Sequence, residues 1–352
     1  MNHTEIRNHR LFNQRIIDSD FKNSLEVVSC MGAMQAQEYA MAKWAIGLRA
    51  KGLADSDIEK AFNNGEILRT HLLRPTWHFV APADIRWILE LTAPRVQQVN
   101  SFMYRKMNLD NIFLNKTNDI LAKSLEGEKY LTRTELQKIL KQKEILADGV
   151  ALSCIMMYAE LERVICSGPR KGKQFTYALL DERVPPVKVL TREEALHELS
   201  KRYFSSRSPA TLKDFVTWSG LTMKDAREGV NSLSNDFIRR IIENQEFIFL
   251  NQEKIFKKNQ PTFLMPDYDE YGMGYKDRSA IIPVETKSQL SKAVNSGNYH
   301  MLIVDGVISG TWKRMIKGEN VIVETFPFFE LNKTQKRAMA KAEERFVKFA
   351  IS

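Results

Sequence analysis

One order of elements, helices followed by β-rich runs, recurs along the chain and constrains its fold more than any other sequence feature. In the first copy, helical segments between residues 24 and 64 lead into two β-rich runs at 67–73 and 76–81. The runs flank Arg74 and Pro75, and a short turn between two such runs predicts a β-hairpin. Helices followed by a hairpin are the element order of a winged helix, although other small domains share that order.

A second copy begins near Thr132. Thr132 and Glu135 have the spacing of a capping box, which predicts the start of a helix. Apolar residues at helical spacing then predict a second helix over 150–166. The following segment, 167–175, is a glycine-containing basic turn that leads into a β-run at 176–179. We expect this turn to be a basic wing.

The third copy starts at residue 208, after the best linker in the chain, 184–187. Gly220 lies in a short turn between two helices with apolar faces, which is the helix-turn-helix pattern. Many such motifs only pack against their neighbours, so contact with DNA and a packing role are both open here.

From about residue 246 the pattern changes to short β-rich runs, and a basic helix over 332–349 closes the chain. The runs are 247–250, 281–284, 301–304 and 321–324. We therefore predict an α+β fold with three tandem winged-helix units, each a helix-turn-helix plus a β-wing, followed by a mostly β C-terminal domain. The predicted boundaries are 1–110, 111–184, 185–245 and 246–352.

The charge balance points to a polyanionic partner. The 352 residues include 52 Lys and Arg against 43 Asp and Glu, for a formal net charge of +9. A surplus of this size favours nucleic acid first. A basic surface that serves solubility alone is an equally open interpretation. Hydrophobic residues make up 43% of the chain, which excludes a disordered protein.

The cysteines and histidines argue against disulfides and metals. Cys30, Cys154 and Cys166 have no C-x-x-C spacing, so we expect free thiols in a reducing compartment. None of the six histidines has the spacing of a metal site, and we predict no bound metal. The polar start and the lack of a long apolar run predict a soluble, cytoplasmic protein with no membrane segment.

Gln35 and Gln37 are the first candidates for chemistry. Side chains two residues apart on a helix point about 200° away from each other. The two carboxamides can reach one point only if the backbone leaves the helix between them, and Gly32 allows that. By spacing alone, such a pair usually consists of exposed polar residues that have no catalytic role.

Other polar residues are weaker candidates. His71 and His78 lie across the predicted hairpin turn, where they could touch a phosphate or a base, although packed histidines are commoner there. Asp267, Asp269 and Glu270 form the one carboxylate cluster suited to water activation or cation binding. It lacks the spacing of an EF-hand.

Four stretches carry a resemblance to a known family. They read MQAQEYAMAKWA at 34–45, LRTHLLRPTWHFV at 68–80, PATLKDF with WSGL at 209–221, and LMPDYDEY with GYKDR at 264–278. Together they resemble the AlkZ-like (YcaQ-related) family of DNA glycosylases, in the family's order and over nearly the whole chain. The resemblance implies three tandem winged helices, a C-terminal β-domain and a concave DNA-binding face. It also implies excision of alkylated purines, some from interstrand crosslinks, with neither metal nor organic cofactor.

The family's catalytic signature is Gln-x-Gln, which Gln35 and Gln37 match; one branch of the family has Asp at the second position. We therefore predict a monofunctional glycosylase that acts on N7-alkylated purines in double-stranded DNA, with no obligate protein partner. Gln35 and Gln37 would position water and stabilise positive charge. The predicted DNA-binding or supporting residues are His71, Arg74, His78, Arg170, Lys171, Lys173, Asp267 and Asp269.

Two alternatives stay open. A non-catalytic winged-helix DNA-binding protein or transcriptional regulator would keep this fold and bind DNA without turnover. An inert scaffold or protein-interaction unit would neither bind DNA nor catalyse a reaction. Release of a free base that depends on Gln37 separates the glycosylase from both. Sequence-selective DNA binding without release favours the regulator.

Overall fold

The computed structural model describes residues 2–251, 261–297, 300–318 and 320–351. Helices and antiparallel sheets alternate along it. After an N-terminal helix, α1 (His3–Asn13), comes a first group of elements that we call repeat 1. Repeat 1 consists of α2 (Ser24–Met31), β1 (Met34–Gln35), α3 (Tyr39–Arg49), α4 (Asp55–Asn64), β2 (Leu68–Leu72) and β3 (Arg74–Val80). Its three strands form an antiparallel sheet in the order β1-β3-β2.

The long helix α5 (Pro82–Lys106) leads into repeat 2, which has the same order of elements. Repeat 2 consists of α6 (Asn111–Leu125), β4 (Leu131–Thr132), α7 (Arg133–Gln142), α8 (Gly149–Leu161), β5 (Ile165–Ser167) and β6 (Thr176–Leu179). Its strands again pair with the last one in the middle, β4-β6-β5. The predicted capping box is confirmed, since the Thr132 and Glu135 side chains each bond the other's backbone N–H. A short helix, α9 (Leu180–Arg183), follows.

Repeat 3 shows the same order with a reduced first strand. It consists of α10 (Arg192–Arg207), α11 (Leu212–Ser219), α12 (Met223–Asn231), β7 (Phe237–Ile242) and β8 (Gln245–Leu250). A single antiparallel bridge between Ala210 and Ile248 stands where the other repeats have their first strand. Gly220 ends α11 in the left-handed conformation, φ 71°, as the helix-turn-helix pattern predicts.

The remaining chain builds a four-stranded antiparallel sheet and several helices. Its elements are β9 (Phe263–Met265), α13 (Glu270–Met273), a 3-10 turn (Val284–Thr286), α14 (Lys287–Asn295), β10 (Met301–Val304), β11 (Val307–Lys317), β12 (Asn320–Pro327) and α15 (Lys333–Ile351). The strand order is β12-β11-β10-β9. Among the residues described, no helix has the length and apolarity needed to cross a bilayer.

Four local predictions were wrong. The helix predicted over 150–166 ends at Leu161, because Arg163 takes a left-handed φ of 62° and the chain continues as β5. Residues 281–284 are not a strand. The hairpin turn falls at Leu73, φ 61°, so Arg74 already belongs to β3. The ladder between β7 and β8 crosses the predicted boundary at 245/246, so a division there would split one hairpin.

The sheet of repeat 1 lies between two hydrophobic cores. Met34, Ala36 and Phe79 belong to a core shared with the C-terminal sheet and α15. Leu68 and Val80 belong to another core, shared with repeat 3. Each fully buried large apolar side chain in these cores stabilises the fold by roughly 1.5–3 kcal/mol. The strand that carries Gln35 is therefore held rigidly from both faces.

Candidate active site

Gln35 and Gln37 lie in an extended segment between two helices. Gly32 ends α2 with a φ of 72°, and the Glu38 side chain caps α3 by accepting from the Met41 backbone N–H at 2.6 Å. Between these caps the chain forms β1, and the Ala36 N–H donates to the Trp77 carbonyl at 2.7 Å. The backbone therefore leaves the helix here, which is the condition that helix geometry sets for the two carboxamides to reach one point.

The extended backbone directs the Gln35 side chain away from the core that contains Met34. Successive side chains of a strand alternate between its two faces. Met34 and Ala36 belong to one core, and Gln35 in β1 consequently points to the opposite face. Gln37 lies two residues beyond the end of β1. Gln35 stands opposite His78 in the register of β1 and β3.

Gln35 is held at both its backbone and its side chain. The residue is 6% exposed. Its backbone N–H donates to Glu270 Oε1 at 2.9 Å, and its Oε1 accepts from Arg74 Nη2 at 3.1 Å. Among the residues described, none accepts a hydrogen bond from its NH2 group. The Gln35 NH2 group is therefore available as a donor, and the two hydrogen bonds fix its position.

Gln37 is exposed and weakly held. Its Oε1 accepts from the Trp77 backbone N–H at 3.3 Å. The Trp77 ring is half-buried, with its centroid 4.5 Å from that of His71 and 4.3 Å from the Arg69 guanidinium carbon. Burial lowers the pKa of Arg69 to about 10, which leaves it cationic at neutral pH. The Gln37 carboxamide therefore contacts the Trp77 backbone, and the Trp77 ring packs against His71 and Arg69.

The buried carboxylate of Glu270 links Gln35 to a network of hydrogen bonds. Glu270 Oε2 accepts from Arg207 Nε at 3.0 Å, from Arg207 Nη2 at 2.7 Å and from Trp218 Nε1 at 2.9 Å. Arg207 also donates to the carbonyls of Met31 and Ala33. This network joins repeat 1, repeat 3 and α13 around the backbone of Gln35.

The sequence interpretation placed Glu270 in the acidic cluster but did not connect it with Gln35, Arg207 or Trp218. Glu270 stood in the same motif as Asp269, and that motif was the available signal. No local sequence pattern pointed to Arg207 or Trp218, because they lie 63 and 52 residues before Glu270 in the chain.

The predicted acidic cluster is not an open site, and this corrects the prediction. Asp269 is buried and binds Arg49 through two bonds, Oδ2–Nη1 at 2.7 Å and Oδ1–Nη2 at 3.0 Å. Asp267 Oδ1 lies 2.7 Å from His300 Nδ1. Burial prevents Asp269 from touching DNA or activating water, and both aspartates are engaged in ion pairs or hydrogen bonds within the fold.

The two hairpin histidines also face protein groups. His71 Nδ1 contacts Glu160, and the His71 backbone N–H donates to the same carboxylate at 3.0 Å. His78 is completely buried, which excludes the predicted DNA contact. Its Nδ1 donates to the Thr76 carbonyl at 2.9 Å, because a carbonyl can only accept. Desolvation, helped by the charge of Arg74, holds the pKa of His78 well below its usual value, so the ring is neutral.

The basic turn of repeat 2 lies against repeat 1 rather than projecting freely. Arg170 stacks its guanidinium over Tyr39, 5.0 Å away, and over Phe175, 4.2 Å away. Lys171 is exposed and pairs with a glutamate of α7. Lys173 is exposed. The turn therefore packs Arg170 against Tyr39 and leaves Lys171 and Lys173 on the surface.

Chemically, the arrangement presents two neutral carboxamides, one bonded to a guanidinium and the other to a backbone N–H. Each carboxamide has an oxygen with two lone pairs and an NH2 group with two donors. Such groups orient a water molecule and stabilise a nearby positive charge, but they are weak bases. Within the described part of the chain, no three His, Cys, Asp or Glu side chains are grouped so that they could hold a metal ion.

Comparison with known proteins agrees with the resemblance noted in the sequence. A family model described as DNA glycosylase AlkZ-like matches residues 28–349. The chain belongs to the AlkZ-like DNA glycosylase family. As a member it is a DNA glycosylase, and thus a hydrolase.

Two comparisons, one of sequence and one of structure, show how far this AlkZ-like chain has diverged. The "Interstrand DNA cross-link repair glycosylase" of Streptomyces sahachiroi is 22% identical over 320 residues, which are 86% of this chain and 84% of that protein. The solved structure of Streptomyces sahachiroi DNA glycosylase AlkZ superimposes with a TM-score of 0.79 at 18% identity, covering 99% of this chain and 96% of that one. At this identity the structural match establishes the fold alone.

Proposed function

We propose that this AlkZ-like protein hydrolyses the N-glycosidic bond of cationic N7-alkylated purines in double-stranded DNA, with Gln35 and Gln37 as its catalytic residues. The observation that supports this most is the non-helical segment between α2 and α3, which carries Gln35 in β1 and Gln37 two residues beyond it. The Streptomyces sahachiroi relative is named for interstrand crosslink repair, and we extend the proposal to purines joined in such crosslinks.

The chemistry suits neutral groups. N7-alkylation gives the purine a positive charge, so it can leave without protonation by an acid. The C1′–N9 bond breaks with its electron pair moving to the purine, which becomes neutral, and the sugar takes on oxocarbenium character. Water then forms the new C–O bond at C1′ and loses its proton to solvent. Gln37 Oε1 has a second lone pair that can accept from this water.

The proposed specificity follows from the weakness of the same groups. An unmodified purine requires protonation or a strong base before it leaves, and neutral carboxamides provide neither. Placing them on one non-helical segment provides orientation, which can contribute several kcal/mol to a barrier without any charged catalyst. The site should therefore act on cationic lesions and leave normal bases intact.

We also propose that the three repeats are winged-helix units and that the chain from β9 onwards is the C-terminal β domain. The shared order of elements and the central position of the last strand in repeats 1 and 2 support this. Because the ladder of β7 and β8 runs to Leu250, we place the end of the third unit after that residue. The surface lysines Lys171 and Lys173 are the proposed phosphate contacts.

The test is release of free 7-methylguanine from a duplex that contains one N7-methylguanine. The wild-type protein should release the base, and Gln37→Ala should reduce the rate by about 10²–10³-fold, the usual cost of removing one transition-state contact. Binding of the same duplex should persist. Gln98→Ala is the matched control, because Gln98 is an exposed glutamine on α5.

Two results would contradict the proposal. Wild-type release that Gln37→Ala leaves unchanged would remove the motif from the chemistry. Sequence-selective binding without any base release would identify a regulator instead.

A further inference from the structure

Arg74 lies between the Gln35 carboxamide and the end of a helix in repeat 3. Its Nη2 donates to Gln35 Oε1 at 3.1 Å. Its Nη1 donates to the carbonyl of Thr217 at 3.0 Å and also to that of Trp218, both in the last turn of α11. One guanidinium therefore satisfies helix-end carbonyls and a catalytic side chain together.

The backbone around Arg74 is built for this approach. Leu73 takes a left-handed φ of 61° at the hairpin turn. The Leu73 carbonyl faces Gly220 so closely that a Cβ on Gly220 would lie 2.3 Å from its oxygen. The hairpin turn of repeat 1 is thus seated against the end of α11, and Arg74 follows it directly.

The contact fixes which end of the Gln35 carboxamide faces outward. A guanidinium has donors and no acceptor, so the amide oxygen must point to Arg74. The NH2 group is then directed away from Arg74, where no described residue accepts from it. The adjacent positive charge also makes the Gln35 oxygen a poorer acceptor. Gln37 differs, because its oxygen has a single 3.3 Å bond from a neutral N–H.

We propose that Arg74 is a positioning residue that orients Gln35 as a hydrogen-bond donor to the bound lesion nucleotide. The proposal rests on the glycosylase function proposed above. Gln35 then donates towards the departing purine as the electron pair of the C1′–N9 bond moves onto it, and Gln37 keeps the acceptor role towards water. Arg74 itself touches neither the substrate nor the water.

The same helix end also holds the Gln35 backbone. Trp218 donates from Nε1 to Glu270, and Glu270 accepts the Gln35 N–H. The carbonyl of Trp218 accepts from Arg74. The last turn of α11 is therefore connected to both ends of Gln35, so the position of repeat 3 sets the geometry of a catalytic residue in repeat 1.

A double-mutant cycle tests the proposal. We expect Arg74→Met to lower the single-turnover rate of 7-methylguanine release by roughly tenfold to a hundredfold, the range expected for a misplaced catalytic group. Duplex affinity should be unchanged, and Arg74→Lys should restore part of the rate because an ammonium also donates. In a Gln35→Ala background, Arg74→Met should cause no further loss. Arg86→Met is the matched control, since Arg86 donates to carbonyls of Leu180 and Val184, away from Gln35.

Equal losses in both backgrounds would overturn the proposal, because Arg74 would then act independently of Gln35. A second readout does not depend on activity. The side-chain NH2 resonance of Gln35, assigned in glutamine-labelled protein by its disappearance in Gln35→Ala, should move in Arg74→Met and stay in place in Arg86→Met. An unmoved resonance would refute the contact. Absence of base release by the wild type, with the resonance moving as expected, would refute the glycosylase function alone.

Discussion

Two neighbouring buried carboxylates should differ in their effect on catalysis although they contribute similarly to stability. Asp269 and Glu270 are 2% and 1% exposed, and each pairs with a fully buried arginine, Arg49 or Arg207. Breaking a buried ion pair by removing one charge costs about 3–5 kcal/mol, because the remaining charge has no partner. Asp269→Asn and Glu270→Gln should each lower the free energy of unfolding by that amount.

Of these two carboxylates, Glu270 is the one that contacts Gln35. Its Oε1 accepts the Gln35 N–H at 2.9 Å, whereas the Asp269 side chain accepts from Arg49 and from the Tyr271 N–H. Glu270→Gln should therefore also lower the single-turnover rate of 7-methylguanine release per folded molecule. Asp269→Asn is the matched control and should keep the wild-type rate.

The assay combines urea denaturation with single-turnover base release measured well below the midpoint of each variant. Losses below about 1 kcal/mol for both variants would refute the buried-pair argument, since they would match the value of exposed pairs. Equal effects on the rate would refute the assignment of Glu270, and not Asp269, to the support of Gln35.

Three further predictions concern His78, Gly220 and the surface lysines. Because folding lowers the pKa of His78 below 6.5, its contribution to stability is complete above pH 6.5 and is lost as the pH falls below it, by up to about 1.4 kcal/mol per pH unit; urea titrations from pH 7.5 to 5 should show a shallower loss in His78→Phe. Gly220→Ala should destabilise the protein by roughly 1–3 kcal/mol or more, from its φ of 71° and the contact with the Leu73 carbonyl, and thermal unfolding would show this. Replacing Lys171 and Lys173 by Ala should weaken binding to any duplex and reduce the slope of log K against log salt by about 2, whereas an unchanged slope would place both lysines away from phosphate.

The sequence was most informative where local chemistry decides the structure. The capping box at Thr132 and Glu135 and the glycine stop at Gly220 depend on residues within one turn, and both are as predicted. The need for an extended backbone at Gln35 and Gln37 followed from helix geometry, which no tertiary contact changes.

It was least informative where partners are distant. The sequence predicts that Asp269 is accessible to solvent, because its partner Arg49 lies 220 residues away along the chain. His78 looks accessible on a hairpin until a core closes over that face of the sheet. Apolar continuity also concealed the end of α8, because Val164 and Cys166 extend the helical pattern past the left-handed Arg163.

The charge of the substrate gives the most direct test of the central claim. Duplexes containing 7-methylguanine, which is cationic, or 7-deaza-7-methylguanine, its neutral isostere, should bind with comparable affinity, since both carry the methyl group in the same place. The wild-type protein should release the base from the first and nothing above the enzyme-free background from the second. Release of the neutral base at a similar rate would contradict the account, because two uncharged carboxamides could not then be the whole catalyst.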